Sequence, residues 1–535
     1  MAGFVLMALM LPAFAGVDGG AGNTVGGQQA TVAGGYRNAA SGLRATVAGG
    51  VLNTAAGANA TVAGGSYNAA KADYTTVAGG GPGDLQSPTT TNNRATDTYC
   101  TVGGGGANVA GNDDATVDNA SGATVGGGYF NFAFAPSATV GGGWNNFAMV
   151  QYAAAGGGIA NQVYGLAGTI AGGHNNQVNA SYGTVGGGRI NLVNGEFATV
   201  SGGGPDLNDG NSGFSTRNKA LDNFCTVGGG STNIAGSDDA DNTTARYATV
   251  GGGRFNTASG AYATVGGGYY NTATADYATV AGGGPSDPGN AEYNRNRATD
   301  TGCFGGGGLH NQAGNDDADT HNSEYTVVCG GTGNTADGTG AAVVGGCLNR
   351  ATGIDSMIVG GYSNVAEGIC SFASGYHAFN YGNGSFVWAD YSTSDVLYVP
   401  NANRFVARAA GGVYFYTSST LGTGVYVGAG GTGWSATSDR NAKENINEVK
   451  ATDVLDKVAA LPISTWNLKE DAAKVQHMGP MAQDLYAAFG LGDSDKAINS
   501  VDADGIALAS IQGLYKQNAE QASQIKAQQD QIQGL

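Results

Sequence analysis

The chain has 535 residues, 97 of them Gly, with 23 Lys+Arg against 41 Asp+Glu, a formal net charge of -18 and only 12% charged residues. Ten Pro and no Gly at every third position exclude collagen and a Pro-rich linker, while an acidic balance without any Lys/Arg cluster excludes nucleic acid and anionic membrane as partners. Length alone predicts roughly three or four domains unless one repeated unit fills the chain, so periodicity is settled first.

Residues 1–15 read as a signal peptide, an apolar run ending in Ala13-Phe14-Ala15, the small-x-small pattern of a signal-peptidase site. The run is too short to span a bilayer as an ordinary helix, and no later segment is apolar enough to do so. A mature chain that is secreted, or held indirectly at a bacterial cell surface, is expected. From residue 20 onward Thr-Val-Ala/Gly-Gly recurs, with Val32, Val47, Val62 and Val77, then Val125 and Val140, then Val250, Val265 and Val280, at a spacing of 15 residues. An Asn lies six residues after the Val, as at Asn38, Asn53, Asn131 and Asn256. Gly and β-branched residues at this density rule out a helical pair. One short strand, a Gly turn, a second short strand and another turn fill one β-solenoid coil. At the ~4.8 Å strand spacing, roughly 20 coils over residues 20–375 make a rod on the order of 95 Å long. Ala and Gly at inward positions predict a thin core, so the Val, Ala and aromatic faces are expected to associate, most simply as a homotrimer. The recurring Asn either ladders its amide up the stack or occupies a left-handed turn, a structural role rather than a ligand-binding one.

Insertions interrupt the rhythm three times. Each begins at Gly-Pro (Gly81-Pro82, Gly204-Pro205, Gly284-Pro285) and ends at a Cys (Cys100, Cys225, Cys303), and a second, acidic insertion follows: Asn112-Asp113-Asp114, Ser237 to Asp241 and Asn315 to Asp319. These carboxylates lack the spacing and terminal Glu of an EF-hand and read as solvated loop tips. Cys100, Cys225, Cys303 and Cys370 read as substitutes for the small residue before Thr-Val and Cys347 as a substitute for Gly, so free buried thiols are expected. With no C-x-x-C, no H-E-x-x-H and scattered His, no metal and no cofactor are expected.

Between 376 and 437 aromatic residues such as Trp388, Tyr391, Phe405, Tyr414 and Trp434 alternate with Gly and Thr, which predicts a compact β neck with an aromatic core. From 438 to 535 the composition becomes ordinary. Helical periodicity appears at Asp453 to Ala459 and Met481 to Phe489, and 506–535 reads as a Gln- and Ala-rich helix whose Ile511, Asn518, Ile525 and Ile532 share one heptad position, a modest coiled coil.

Four ordered motifs in this last region are Ser438-Asp439-Arg440-Asn441-Ala442-Lys443-Glu444-Asn445, Leu461 to Asn467, His477-Met478-Gly479-Pro480-Met481-Ala482-Gln483-Asp484 and Val501 to Ala507. Together they resemble the C-terminal intramolecular chaperone of phage tail spikes and fibres. The resemblance implies an α+β domain that trimerises, templates the upstream fibre and then cuts itself off by a serine-lysine reaction. The family's S-D-x-x-x-K motif falls on Ser438 and Lys443, which implies a scissile bond at Thr437-Ser438. Ser438 is then the nucleophile and Lys443 the general base, with Asp439 and His477 as helpers and backbone N–H groups as oxyanion donors. On an α-helix Ser438 and Lys443 would lie roughly 140° apart, so Ser438 must sit on a bend before the helix or Lys443 must act across a trimer interface. The residues alone also fit a plain N-cap at Ser438-Asp439 and a solvated Lys443.

The repeat of residues 20–375 is similar to the head of trimeric autotransporter adhesins of the Yersinia adhesin type, which implies a left-handed parallel β-roll, although the insertions and the lack of a membrane-anchor barrel depart from that pattern. The expected protein is thus mainly β: a Gly-rich 15-residue-repeat β-solenoid, trimeric, with a β neck and a self-cleaving chaperone ending in a coiled coil. Its function is expected to be that of a secreted, adhesin-like fibre whose only enzymology is one turnover on itself, with a host-surface or glycan receptor as partner. The alternatives are a phage tail fibre or spike used for host attachment, or a glycan-degrading spike. An ice-binding ladder is disfavoured by the single Thr per coil.

Overall fold

The computed structural model describes residues 20–114, 116, 118–205, 216–285 and 295–535. The expected signal peptide, and the tips of the second and third Gly-Pro insertions, lie outside the described residues. The chain divides into a unit that ends at Arg408 and a second unit, Ala409–Leu535.

The first unit is a parallel β-solenoid. Each coil supplies one Thr-Val strand and one second strand such as Ala39–Ala40, and each strand pairs in register with its counterpart in the next coil: Thr31 with Thr46, Val32 with Val47, Ala39 with Thr54, Ala40 with Ala55. The two faces carry 22 strands each among the described residues. Strands of two residues can do this because the second residue always points inward, as period-2 alternation requires, and every such Val or Ala meets its equivalents above and below. Val32, Val47, Val62, Val125 and Val140 are completely buried, with Ala40, Ala55 and Ala133 opposite them. This corrects the expected association through Val and Ala, because a single chain already seals both columns inside the coil. Outside lie aliphatic side chains such as Leu43, Ile159 and Leu348 and many aromatic rings, among them the stack Tyr182, Phe197, Phe224, Tyr247, Tyr262 and Tyr277, with successive centroids 4.7 to 5.2 Å apart.

The Asn column resolves the two readings offered for it in favour of the amide ladder. Asn161 is fully buried, its Oδ1 accepts from the Asn176 N–H at 3.0 Å, and its Nδ2 donates to Gly157 O at 2.8 Å and Gly173 O at 3.0 Å. The left-handed residue is the one before, such as Arg37 or Tyr67. Each amide therefore ties the turn of its own coil to the turn of the next, satisfying backbone groups that a tight buried corner would otherwise strand. Gly at positions such as Gly158 is required twice over: its φ is +89°, and a Cβ there would overlap the Gly173 carbonyl oxygen.

The insertions leave the coils differently. Across the acidic insertions the ladder continues, Asn131 N–H donating to Asn108 Oδ1 at 3.0 Å over a separation of 23 residues instead of 15. At the first two Gly-Pro insertions, which enter just ahead of the Asn, Asn68 Oδ1 and Asn191 Oδ1 are left without a partner. Cys100, Cys225 and Cys303 are buried as expected, and all six cysteines are free. Burial pushes the Cys100 thiol up to about 11 and the Cys225 thiol up to about 12, which keeps both protonated and unreactive. Two register assignments change. Ser371, not Cys370, precedes the pair Phe372-Ala373, of which Ala373 points inward, leaving Cys370 exposed on the left-handed corner, and Cys347 takes the column of Thr332 and Tyr362, equivalent to that of Tyr129 and Trp144, in which Gly is the exception.

The solenoid does not stop at 375. Met357–Tyr362, Phe372–Tyr376, Phe386–Ala389 and Phe405–Arg408 continue the parallel stack with longer strands, so the first half of the expected neck is more solenoid. The aromatics expected to form its core lie outside: Tyr391 is 79% exposed and Phe405 72%.

In the second unit the antiparallel strands Gly412–Tyr416, Gly424–Gly428 and Ser435–Ala436 form a small sheet. Helix α1 (Ala451–Ala460), the hairpin Ser464–Trp466 with His477–Gly479, helix α2 (Ala482–Phe489) and helix α3 (Ser500–Gln533) follow. Asn499 caps α3 by accepting from the Val501 N–H at 2.9 Å. Gly513 lets α1 approach α3, since a Cβ there would meet the Ala451 backbone. Beyond that contact the heptad residues Ile511, Ile525 and Ile532 are exposed.

Candidate active site

The small sheet positions the expected scissile bond. Ser435–Ala436 pairs with the strand Gly424–Gly428, and the next residue extends the pairing: Thr437 N–H donates to Gly424 O at 3.0 Å, Thr437 Oγ1 donates to the same oxygen at 3.2 Å, and Gly424 N–H donates to Thr437 Oγ1 at 3.1 Å. Backbone and side chain of Thr437 are thus both clamped, and the chain leaves the sheet at the Thr437-Ser438 peptide. Gly424 is a residue of this candidate site that sequence reasoning missed. A Cβ there would collide with the Phe415 carbonyl, so only Gly lets these strands close, but one Gly among many carries no such signal.

The link from Ser438 to Lys443 is a 3-10 turn, Arg440–Ala442, in place of the expected α-helix. Asp439 caps it, Oδ1 accepting from Asn441 N–H at 2.9 Å and Asn441 Nδ2 at 3.1 Å, and Lys443 N–H closes it on Arg440 O. Lys443 itself is extended, at φ -116° and ψ 145°. A single tight turn flanked by extended residues brings its two ends to one side, which removes the 140° separation that an α-helix imposes. Lys443 Nζ donates to Ser438 Oγ at 2.7 Å. Ser438 and Lys443 are therefore joined within one chain, and the bend assigned to Asp439 is the cap it makes. His477 lies elsewhere: its ring stacks on Trp466 at 4.8 Å and has no hydrogen bond to Ser438 or Lys443. Thr437 through Lys450 are exposed.

The acidic loops close on themselves. Asp114 accepts from Asn112 Nδ2 at 2.9 Å, Asn119 Nδ2 at 2.8 Å and Thr116 N–H at 2.6 Å, and Asp317 repeats the arrangement with Asn315 and Asn322. Hydrogen bonds from Asn119 and Thr116 hold Asp114 below its ordinary value, and Asn322 and Asp319 do the same for Asp317. Each loop is also tethered to the coil by an ion pair: Lys71 to Asp113, Lys219 to Asp238, Arg297 to Asp316. Among the described residues no group of three or more His, Cys, Asp or Glu could hold a metal ion, and no helix is long and apolar enough to cross a membrane.

Residues 438–490 match the peptidase family described as the chaperone of endosialidase, and the match begins at the serine held by Lys443. No curated protein matches the chain. A C-terminal segment of this self-processing chaperone family behind a β-solenoid fits a tail-fibre- or spike-like protein, a class found outside the cell or on phage tails.

Proposed function

We propose that the protein is a homotrimeric fibre subunit whose C-terminal domain drives assembly and then severs itself at Thr437-Ser438, with Ser438 as nucleophile and Lys443 as base. The 2.7 Å contact between Lys443 Nζ and Ser438 Oγ carries this reading. In its neutral amine form Nζ accepts the Ser438 hydroxyl proton while Oγ adds to the Thr437 carbonyl carbon through a five-membered ring. The proton passes to the Ser438 nitrogen, the C–N bond breaks, and an ester joins Thr437 to Ser438 Oγ. Water then hydrolyses the ester, leaving a Thr437 carboxylate and a free Ser438 amine. The clamp on Gly424 limits the motion of the carbonyl side during attack, which is the entropic part of the catalysis. Exposure of Ser438 and Lys443 in one chain supports a reaction that waits for neighbouring chains to exclude water and make the lysine a base.

Between the two fibre readings, the matched family favours a tail fibre or spike, whereas an exported adhesin-like surface protein rests on residues 1–15 and the form of the repeat. Intact-mass and gel analysis of the full chain beside Ser438→Ala and Lys443→Ala tests the chemistry. Wild type is expected to yield a new N-terminus at Ser438 and a fragment of residues 438–535, with both variants whole. An uncut but trimeric wild type removes the catalytic assignment and leaves a permanent trimerisation cap.

A further inference from the structure

At the end of the solenoid the coils change character in a way that neither the repeat nor the chaperone requires. The strands lengthen from two residues to between four and six, and the added residues form new columns. Gly361, Gly375 and Ala389 stack as one column of small residues. On one side of it Tyr362 lies over Tyr376, with Tyr391 set edge-on to Tyr376 at 4.6 Å. On the other side stands Trp388, whose neighbours above and below are Ser374 and Ala407, too small to cover an indole face. Large rings on both sides of a small-residue floor make a cleft of about 710 Å³, within the ~300–1,000 Å³ range of small-ligand sites.

The cleft is held rigid. Arg408 Nη2 donates to Tyr376 O and to Asp390 O at 3.0 Å, its Nη1 donates to Asp395 O at 2.6 Å, and its Nε lies 3.3 Å from Asp390 Oδ1. Ser392 Oγ donates to the same carboxylate oxygen at 2.6 Å. One guanidinium thus fixes both the ring-bearing strand and the following loop, so little ordering is left to do on binding. The hydroxyls of Tyr362, Tyr376 and Tyr391 have no hydrogen-bond partner among the described residues.

We infer that this cleft is a saccharide-binding subsite that takes a neutral oligosaccharide. A pyranose ring presents an apolar C–H face flanked by equatorial hydroxyls; the uncovered face of Trp388 complements the first and the unpaired phenol groups of Tyr362, Tyr376 and Tyr391 the second, while stacking of Tyr376 on Tyr362 and His377 fixes those phenols in place. Charge selects within that class: Asp390 is neutralised by Arg408, no Lys or Arg lines the cleft among the described residues, and a chain of net charge -18 repels polyanionic glycans. This assignment rests on the fibre reading but not on self-cleavage, and it places a glycan contact near Trp388 rather than on the acidic loops.

The test is titration of the full-length protein by calorimetry with maltohexaose, cellohexaose and chitohexaose, each to about 10 mM, a ceiling that still detects weak sites. Saturable binding of at least one, weakened about tenfold in Tyr391→Ala and in Trp388→Ala, is expected. Tyr391 is the more informative variant because it is 79% exposed and its removal leaves the coils packed. Absence of binding to all three sugars, or binding that survives Tyr391→Ala, overturns the assignment. So does a change of oligomeric state in Tyr391→Ala by sedimentation, which would make the cleft a face between copies. Cleavage at Ser438, followed on the same samples, reports separately on the chaperone reading.

Discussion

The two units solve the burial problem in opposite ways. In the solenoid, each coil completes its interior within one chain: the inward Val and Ala are sealed, and the buried Asn amides tie successive corners together. In the second unit only Ala451, Leu485 and Ile506 are buried hydrophobics, while Leu508, Ile511, Tyr515 and Ile525 on α3 lie open to solvent. A repeat stack gains stability from nearest neighbours, so it needs no partner to be locally satisfied. A 127-residue unit leaves much apolar surface uncovered, the surface that the proposed assembly would have to bury.

Substitutions of similar size in the two units test this contrast. The largest effect is expected from Asn161→Leu, which leaves Gly157 O and the Asn176 N–H without the amide and removes one of two bonds to Gly173 O, which keeps the Ile159 N–H. At ~1–3 kcal/mol per unsatisfied group the loss is about 4 kcal/mol, read as lost hydrogen-exchange protection confined to the coils on either side. Val125→Ala, between Val102 and Val140, is expected to cost about 2–3 kcal/mol by the same measurement. Ile525→Ala removes more apolar atoms, yet in a single chain it should stay within about 0.5 kcal/mol. Its expected effect is instead a weaker assembly by sedimentation, and an unchanged assembly would show that α3 is not the contact. The smallest effect concerns pH. Asp114 and Asp317 are held below the ordinary value of 3.8, so the stability they lend their loops is present above about 3.8 and lost as pH falls through the lowered values. Hydrogen exchange followed as pH is lowered below 3.8 should show these loops opening before the coils lose protection.

Most of the shaft was legible because its signal is repeated. Thr-Val fixes the inward column, and the offset to Asn fixes the corner. What repetition cannot show is where the pattern is replaced rather than ended. Near Cys370 the Thr-Val anchor becomes Phe372-Ala373, and counting from the missing anchor slips by one residue. Alternation of Trp388, Tyr391 and Phe405 with small residues reveals which face they share but not whether anything covers that face, so an exposed aromatic surface read as a core. At the candidate site, Ser438 and Lys443 were legible as a motif and Asp439 as the residue fixing the bend. The 3-10 turn was not, because three residues carry too little periodicity to separate one tight helix from another, and the Gly424 clamp is made by residues distant in sequence.

The amide ladder that passes beneath the acidic loops has a mechanical corollary. A pull along the axis loads backbone and Asn bonds in parallel at every coil, and at Asn108 to Asn131 that load path bypasses the loop altogether. Ornament and tensile strength are therefore decoupled there: the acidic loop that follows Gly111 can be exchanged without breaking the ladder, provided that the strands Val109–Ala110 and Thr124–Val125 are kept. At Asn68 and Asn191, where the path loses one strut, a stretched fibre should yield first.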